Sequence, residues 1–81
     1  MPYFVHILKS ELTGIPYVGH TSKLEKRLTE HNNGKSISTR NKRPWKLIYQ
    51  EEFQTRSEAI SREKYFKSIT GRLDLKAQGI I

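Results

Sequence analysis

Apolar residues gather at two places near the amino terminus, separated by a turn. The stretch YFVHIL at 3–8 combines aromatic and β-branched side chains, which favours a strand. Gly14 and Pro16 mark a turn, and YVGH at 17–20 resumes extended structure. Because so short a connection joins the two strands, the pattern predicts a β-hairpin.

A helical pattern follows the hairpin. Leu24 and Leu28 lie one helical turn apart and predict an apolar stripe that packs on the sheet. Ser22 and Glu25 have the spacing of a capping box, which predicts that Ser22 caps the start of this helix. The run NNG at 32–34 predicts its end.

The second half of the chain predicts one more strand and more helix. Trp45, Leu47 and Tyr49 recur at every second position, which predicts a strand with these three side chains on one face. Thr55 and Glu58 repeat the capping-box spacing ahead of a second helix. The ending GRLDLKAQGII predicts a short terminal helix. The order β-β-α-β-α, with a small three-stranded antiparallel sheet flanked by helices, is an α+β fold.

Length and composition narrow the class of protein. A chain of 81 residues is expected to form a single domain over 1–81. The absence of cysteine excludes disulfides and thiolate metal sites. The amino-terminal apolar stretch is far shorter than the roughly 18 residues of a membrane span, and no charged region precedes it. We therefore expect a cytoplasmic protein with no membrane partner.

The charge balance points to a partner. Fifteen Lys and Arg residues oppose eight Asp and Glu residues, which gives a formal net charge of +7. Such an excess on a small domain attracts polyanions, and nucleic acid is the commonest of these. The alternative on charge alone is a basic protein without such a partner.

Three charged or titratable residues are predicted to face inward. On the first helix, Arg27 and His31 lie on or beside the stripe formed by the leucines, since residues three and four apart are neighbours. On the second helix, Glu63 falls within the apolar side. A buried charge is costly unless it is paired or binds a metal. The pattern leaves two alternatives, which are an Arg27–Glu63 salt bridge that joins the helices and a polar cleft with an anion site beside a metal site.

The hairpin adds two candidates if its register is favourable. When His6 pairs with Gly19, His6 and Tyr17 lie on the same face as diagonal neighbours, whereas a slip of one residue separates them. Each also has a structural interpretation, as a satisfied imidazole for His6 and ordinary strand packing for Tyr17.

Taken together, these residues resemble the GIY-YIG nuclease domain in its small stand-alone form. The second signature triplet appears as YVG at 17–19, and LEKRLTEHN is similar to the helix that carries the catalytic arginine, here Arg27, with His31 one turn on. TRSEAISREKYFK is similar to the helix with the metal-binding glutamate, here Glu63, and GKSISTRNKRPWKLIY and KAQGII are typical of the stand-alone type. One position departs from the family, because His6 stands where the first triplet ends in tyrosine.

The resemblance implies hydrolysis of phosphodiester bonds with one divalent metal ion, Mg²⁺ or Mn²⁺. Glu63 would bind the metal, and Arg27 would grip the phosphate with its planar fork. Tyr17 occupies the place of the usual general base. With an ordinary histidine pKa, His6 would act as a base or hold the attacking water, with a pH profile that rises near neutrality. His31 would orient the nucleophile or contact a phosphate, and its alternative is a solvated histidine at the helix end.

A basic loop precedes the third strand. Its hydroxyl and basic residues suit phosphate contacts without base recognition, and the alternative is a solvated loop. The residues are Lys35, Ser36, Ser38, Thr39, Arg40, Lys42 and Arg43. Trp45 is expected in the core. Four basic residues of the second helix are expected on its exterior, away from the site: Arg56, Arg62, Lys64 and Lys67.

The function that these features favour is a metal-dependent endonuclease on DNA, structure-selective in repair or processing, with RNA kept open as a substrate. Targeting would then come from this surface, a homodimer or a partner protein. One alternative is a nucleic-acid-binding module on the same fold that lost catalysis because of His6. The other is a small basic interaction protein.

Overall fold

The computed structural model describes residues 2–35 and 39–81, and it has the predicted order β-β-α-β-α followed by the predicted terminal helix. The elements are β1 Tyr3–Ser10, β2 Pro16–Thr21, α1 Leu24–Asn32, a 3₁₀ turn Arg40–Lys42, β3 Trp45–Phe53, α2 Arg56–Lys67 and α3 Ile69–Ala77. Within the described ranges, no helix has the length and apolar character needed to cross a bilayer.

The sheet is antiparallel with strand order β2-β1-β3. The hairpin has the register that places His6 opposite Gly19 and Leu8 opposite Tyr17. The sequence left this register open, and of its two alternatives the structure has the one in which His6 and Tyr17 share a face. Strand β2 is an edge strand, so one of its long edges is not paired with another strand of the sheet.

Strand β3 contains a bulge that overturns one prediction. Tyr49 lies opposite Ile7, whereas Leu47 lies opposite Leu8, so Ile48 is the extra residue between them. Trp45 and Leu47 therefore lie on one face and Tyr49 on the other, although the sequence predicted all three on a single face. The period-2 argument failed because an inserted residue reverses every side chain beyond it.

The two faces of the sheet have different neighbours. Val5, Ile7 and Val18 on one face form the buried core together with residues of α2 and α3. The helical members of this core are Ala59, Phe66 and Leu75. The opposite face carries His6 and Leu8 together with Tyr17 and Trp45, and α1 lies beside it.

The two predicted capping boxes have different outcomes. At α2, the Thr55 Oγ1 accepts from the Glu58 backbone N–H, and the Glu58 carboxylate accepts from the Thr55 N–H, both at 3.2 Å. At α1 the prediction was wrong, because Lys23 is the N-cap residue and no side chain caps the helix. The Lys23 N–H instead donates to the Thr21 hydroxyl at 3.0 Å, which draws the chain into a turn before the helix.

This difference gives a stability prediction. Thr55→Ala should lower the free energy of unfolding by about 1 kcal/mol, because it removes a side-chain cap. Ser22→Ala should change it by less than about 0.5 kcal/mol, since Ser22 caps nothing. Urea unfolding of the two variants and the wild type measures both values. Equal losses in the two variants would contradict the assignment of Lys23 as the N-cap.

Candidate active site

The middle of the hairpin brings His6 and Tyr17 together over a residue without a side chain. A Cβ added to Gly19 would lie 3.0 Å from His6 Nε2 and 3.3 Å from Tyr17 Cε1. Glycine fits closely opposite His6, because a larger residue would need the imidazole and the Tyr17 ring to shift slightly.

Four rings pack together on this face, and we call them the aromatic cluster: His6, Tyr17, His31 and Trp45. Three of them are buried, and Tyr17 is half-buried. The Tyr17 and His31 ring centroids are 4.9 Å apart, and those of Tyr17 and Trp45 are 6.0 Å apart. His31 is fully buried, so it is not a solvated histidine at the helix end. Trp45 is also buried, which confirms its predicted place in the core.

Thr39 holds the cluster from behind. Its Oγ1 lies 2.7 Å from His31 Nδ1, and its backbone carbonyl accepts from Trp45 Nε1 at 2.8 Å. Thr39 is itself buried, so the prediction that its hydroxyl suits a phosphate contact was wrong. The sequence did not indicate the contacts with His31 and Trp45, because Thr39 lies in a loop of basic residues.

His6 is a neutral buried imidazole. Its exposed fraction is 1%, and among the described residues neither ring nitrogen has a hydrogen-bond partner. The pKa of His6 is lowered from 6.5 to about 4, chiefly by burial and also by the charges of His31 and Arg27, while Glu63 opposes them. The expectation of a pH profile that rises near neutrality through His6 therefore does not hold, since this group stays neutral there.

The low pKa predicts a pH dependence of stability. The unfolded chain protonates His6 below about pH 6.5, whereas the folded chain resists protonation until about pH 4. Stability is therefore complete above the unfolded pKa and falls as the pH decreases. We expect His6 to account for a loss of about 2 kcal/mol between about pH 7 and about pH 5.

The matched variant for this experiment is His6→Tyr, which lacks the titrating group but keeps His31 and the carboxylates. Urea unfolding across the pH range should give a steeper decline for the wild type than for the variant. Parallel declines would mean that the pKa of His6 is the same in the folded and the unfolded protein.

Glu63 lies partly sheltered beside β2. Its side chain is 17% exposed, and its two oxygens accept from His20 Nδ1 at 2.7 Å and from Lys67 Nζ at 2.9 Å. Partial burial alone would raise the pKa of Glu63, but the hydrogen bonds from His20 and Lys67 outweigh it and hold the pKa below its usual value. Glu63 is thus an ionised carboxylate at neutral pH.

The sequence interpretation missed His20 and Lys67 as neighbours of Glu63. The predicted register already placed His20 opposite Val5, on the face that α2 covers, so this signal was present. Lys67 follows Glu63 by one helical turn, which favours the pair that forms.

Arg27 projects from α1 with a half-exposed guanidinium. Its side chain is 38% exposed, and its nearest acidic group is Glu30 at 3.6 Å. Since Glu63 bonds to His20 and Lys67 instead, the described residues do not form the direct Arg27–Glu63 brace that the sequence left open. Arg27 keeps guanidinium N–H groups available for a ligand.

A polar cavity of about 360 Å³ lies next to Arg27, at the open edge of the sheet. Four basic side chains and a single carboxylate, Glu30, line it, together with His20 and three hydroxyl residues. The basic residues are Lys23, Lys26, Arg27 and Arg56. The guanidinium of Arg56 also lies 5.2 Å from the centre of the Tyr3 ring. Arg56 and Lys67 were predicted away from the site, and the fold instead places both beside it.

The basic loop lies at the other end of α1. Lys35, Arg40 and Arg43 are exposed, and Lys42 is partly buried. The carbonyl of Lys42 accepts from the Ser10 hydroxyl at 2.5 Å, which ties the loop to β1. Ser36 and Ser38, also predicted for phosphate contacts, lie outside the described residues.

Glu63 offers a single carboxylate to a divalent cation. Within residues 2–35 and 39–81, no three His, Cys, Asp or Glu residues lie together as a ready ligand group, so Glu63 would serve as a single carboxylate ligand. Mg²⁺ commonly takes one or two carboxylates and fills its other positions with water and substrate phosphate oxygens. Each carboxylate oxygen has two lone pairs, so Glu63 retains acceptor capacity beyond its bonds to His20 and Lys67.

The comparison with known proteins agrees with this fold. Residues 2–76 match the GIY-YIG catalytic domain. The chain therefore belongs to the GIY-YIG nuclease family, as the sequence resemblance indicated.

Its relatives are small proteins named UPF0213. The chain is 39% identical over 75 residues to UPF0213 protein SSP2268 of Staphylococcus saprophyticus, a match that covers 91% of this chain and 90% of that protein. It is 46% identical over 68 residues to UPF0213 protein CPE1444 of Clostridium perfringens, across 83% of this chain and 72% of that protein. The solution NMR structure of UPF0213 protein BH0048 from Bacillus halodurans has a TM-score of 0.59 at 28% identity, and the match covers 96% of this chain and 85% of that one.

Proposed function

We propose that this protein is a divalent-metal-dependent endonuclease that hydrolyses DNA, in the form of a single nuclease-like domain over residues 1–81. The observation that carries the proposal is the position of His20 on β2, which lies 2.7 Å from Glu63 of α2 and lines the polar cavity together with Arg27 of α1. Charges from both helices thus converge on one point of the hairpin. The mainly basic and hydroxyl lining suits contacts to phosphates rather than to bases, which favours selection of DNA structure over sequence. A role in DNA repair or processing is part of the same proposal.

In this proposal Glu63 is the metal ligand, with His20 as its orienting partner at 2.7 Å. A bound Mg²⁺ or Mn²⁺ would neutralise charge on the scissile phosphate and its leaving oxygen. Arg27 binds the phosphate from the α1 side, and its planar guanidinium stabilises the charge that develops during cleavage.

Tyr17 is the proposed base, and the two histidines position it. The His31 ring lies 4.9 Å from the Tyr17 ring, and its own orientation is fixed by Thr39. His6 lies at 6.5 Å from the Tyr17 ring, under a surface that water does not reach. Because both histidines are buried, we assign them a positioning role and leave direct contact with substrate to Tyr17 and Arg27.

Nucleic acid binding is proposed for two basic surfaces that flank α1. One is the polar cavity, and the other is the loop with Lys35, Arg40, Lys42 and Arg43. Each phosphate contact that is lost should reduce the slope of log K against log salt by about 0.9 on duplex DNA.

Salt-dependent binding therefore tests both surfaces. In the Glu63→Gln background, which keeps the substrate intact, Lys26→Ala and Arg40→Ala should each lower the salt slope by about 0.9. Fluorescence anisotropy on a labelled duplex measures this. The control is Lys64→Ala on the exposed side of α2. If Lys26→Ala gave the same slope as the control, the cavity would not contact phosphate.

A second candidate is a nucleic-acid-binding module that does not cut. The observation in its favour is that His6, at the place of the signature tyrosine, is neutral and shielded from solvent. A nicking assay with Mg²⁺ or Mn²⁺ on supercoiled and branched DNA separates the candidates. Cleavage that depends on metal and on Glu63 supports the nuclease, and tight binding without cleavage supports the module.

A further inference from the structure

Four large apolar side chains of the described residues are exposed, two in the hairpin turn and two on α3. Leu12 is 68% exposed and Ile15 46% exposed, and both belong to the turn between β1 and β2. Ile69 is 81% exposed and Leu73 61% exposed, one turn apart on the outer side of α3. Single exposed apolar residues are ordinary, but neighbouring ones mark a binding surface.

A groove of about 350 Å³ lies between the hairpin turn and α3. We call it the α3 groove. Gly14 and Pro16 form one wall, Ile69 and Leu73 form the other, and Ile81 also lines it. The groove follows a helix of nine residues, which is about 13 Å long. These dimensions suit about two turns of a partner helix.

The charged side chains on the rim of the α3 groove are all basic. Lys9, Arg72 and Lys76 line it, and no acidic side chain does so among the described residues. A second copy of this chain would place the same cations against one another, on a protein whose net charge is already +7. A partner segment with an apolar stripe flanked by carboxylates would complement both the apolar lining of the groove and its basic side chains.

We propose that the α3 groove binds an acidic amphipathic helix of a partner protein. The apolar stripe of that helix packs on Ile69 and Leu73, and its carboxylates pair with Arg72 and Lys76. This inference is independent of nuclease activity, because the groove lies at the Pro16 end of β2 and the polar cavity at the Thr21 end. The six residues of β2 separate the two sites by roughly 17 Å, so one molecule can bind both partners.

The test uses synthetic helical peptides of about 18 residues, or five turns. The first has leucines at helical spacing with glutamates elsewhere, the second has the same residues in scrambled order, and the third has lysines for glutamates. We expect the acidic peptide to bind the full chain with a Kd on the order of 10–100 µM in fluorescence anisotropy. Leu73→Ser and Arg72→Glu should each weaken it about tenfold.

A charge-matched variant and a folding measurement make the peptide result specific to the α3 groove. Lys64→Glu on α2 changes the same net charge as Arg72→Glu and should leave peptide binding unchanged. Circular dichroism checks the folding of each variant, which is expected to be retained because the substituted side chains are exposed. Three results would each overturn the proposal. The scrambled or the lysine peptide could bind as tightly as the acidic one, the acidic peptide could show no saturable binding, or Leu73→Ser could leave its binding unchanged. A dimer in light scattering that Leu73→Ser makes monomeric would overturn it as well, by showing a self-interface.

Discussion

Glu63→Gln is expected to reduce metal-dependent DNA nicking by about a thousandfold, the largest effect on activity that we predict. The substitution keeps the size of the side chain and an oxygen that accepts from His20, but it removes the charge that a divalent cation needs. The initial rate of nicking, measured against Mg²⁺ concentration, gives the size of the effect.

Two controls make this result specific. Glu52→Gln removes an exposed carboxylate on β3 and should retain wild-type activity. Thermal unfolding of Glu63→Gln should differ little from the wild type, because the lost ion pairs are partly exposed and contribute less than about 1 kcal/mol each. A variant that nicks DNA at the wild-type rate would remove Glu63 from the site. A variant that unfolds would show that the carboxylate mainly braces the fold.

Gly71→Ala is expected to destabilise the protein by about 3 kcal/mol or more, the largest effect on stability that we predict. An added Cβ would lie 1.8 Å from the Tyr65 carbonyl oxygen and 2.9 Å from the Phe66 Cα, which are backbone atoms of α2. The two helices would have to separate, although α3 packs on the core through Leu75. A domain of this size has a total stability of only about 4–12 kcal/mol.

The sign of this effect is informative, because glycine to alanine within a helix ordinarily stabilises by up to about 1 kcal/mol. Thermal unfolding should show a decrease in Tm on the order of 15 °C. Thr70→Ala, at the adjacent exposed position of α3, should leave the Tm nearly unchanged. A Tm for Gly71→Ala at or above the wild-type value would contradict the close approach of α2 and α3.

Most of the fold followed from local patterns in the sequence. The hairpin, the helix after it and the second capping box are local features, and each is specified by residues a few positions apart. The register of the hairpin was left open by the sequence and is given by the structure. Two local predictions were wrong. The Ser22 cap failed because Thr21 takes the Lys23 N–H before the helix begins, and the alternation around Tyr49 failed because of the bulge at Ile48.

Helical spacing singled out Arg27, His31 and Glu63 because it placed all three on or beside apolar stripes. In the structure His31 is buried and Glu63 is partly sheltered, whereas Arg27 is half-exposed. The environment of His6 was not predictable, because its low pKa depends on burial under residues far apart in the chain. Likewise, His20 and Thr39 gain their importance only through partners on other elements, at Glu63 and His31.

The bulge at Ile48 divides β3 between two tasks. Before it, Trp45 supports the tyrosine and histidines on the α1 side, and after it, Glu51 faces α2 and accepts from Arg62 Nε at 2.8 Å. Residues at every second position of β3 thus contact the α1 side before the bulge and the α2 side after it. In a regular strand, these residues would all lie on one face of the sheet. Deletion of Ile48 would move every side chain on one side of the bulge to the opposite face of the sheet. The length of β3 is therefore constrained more tightly than the identity of most of its side chains.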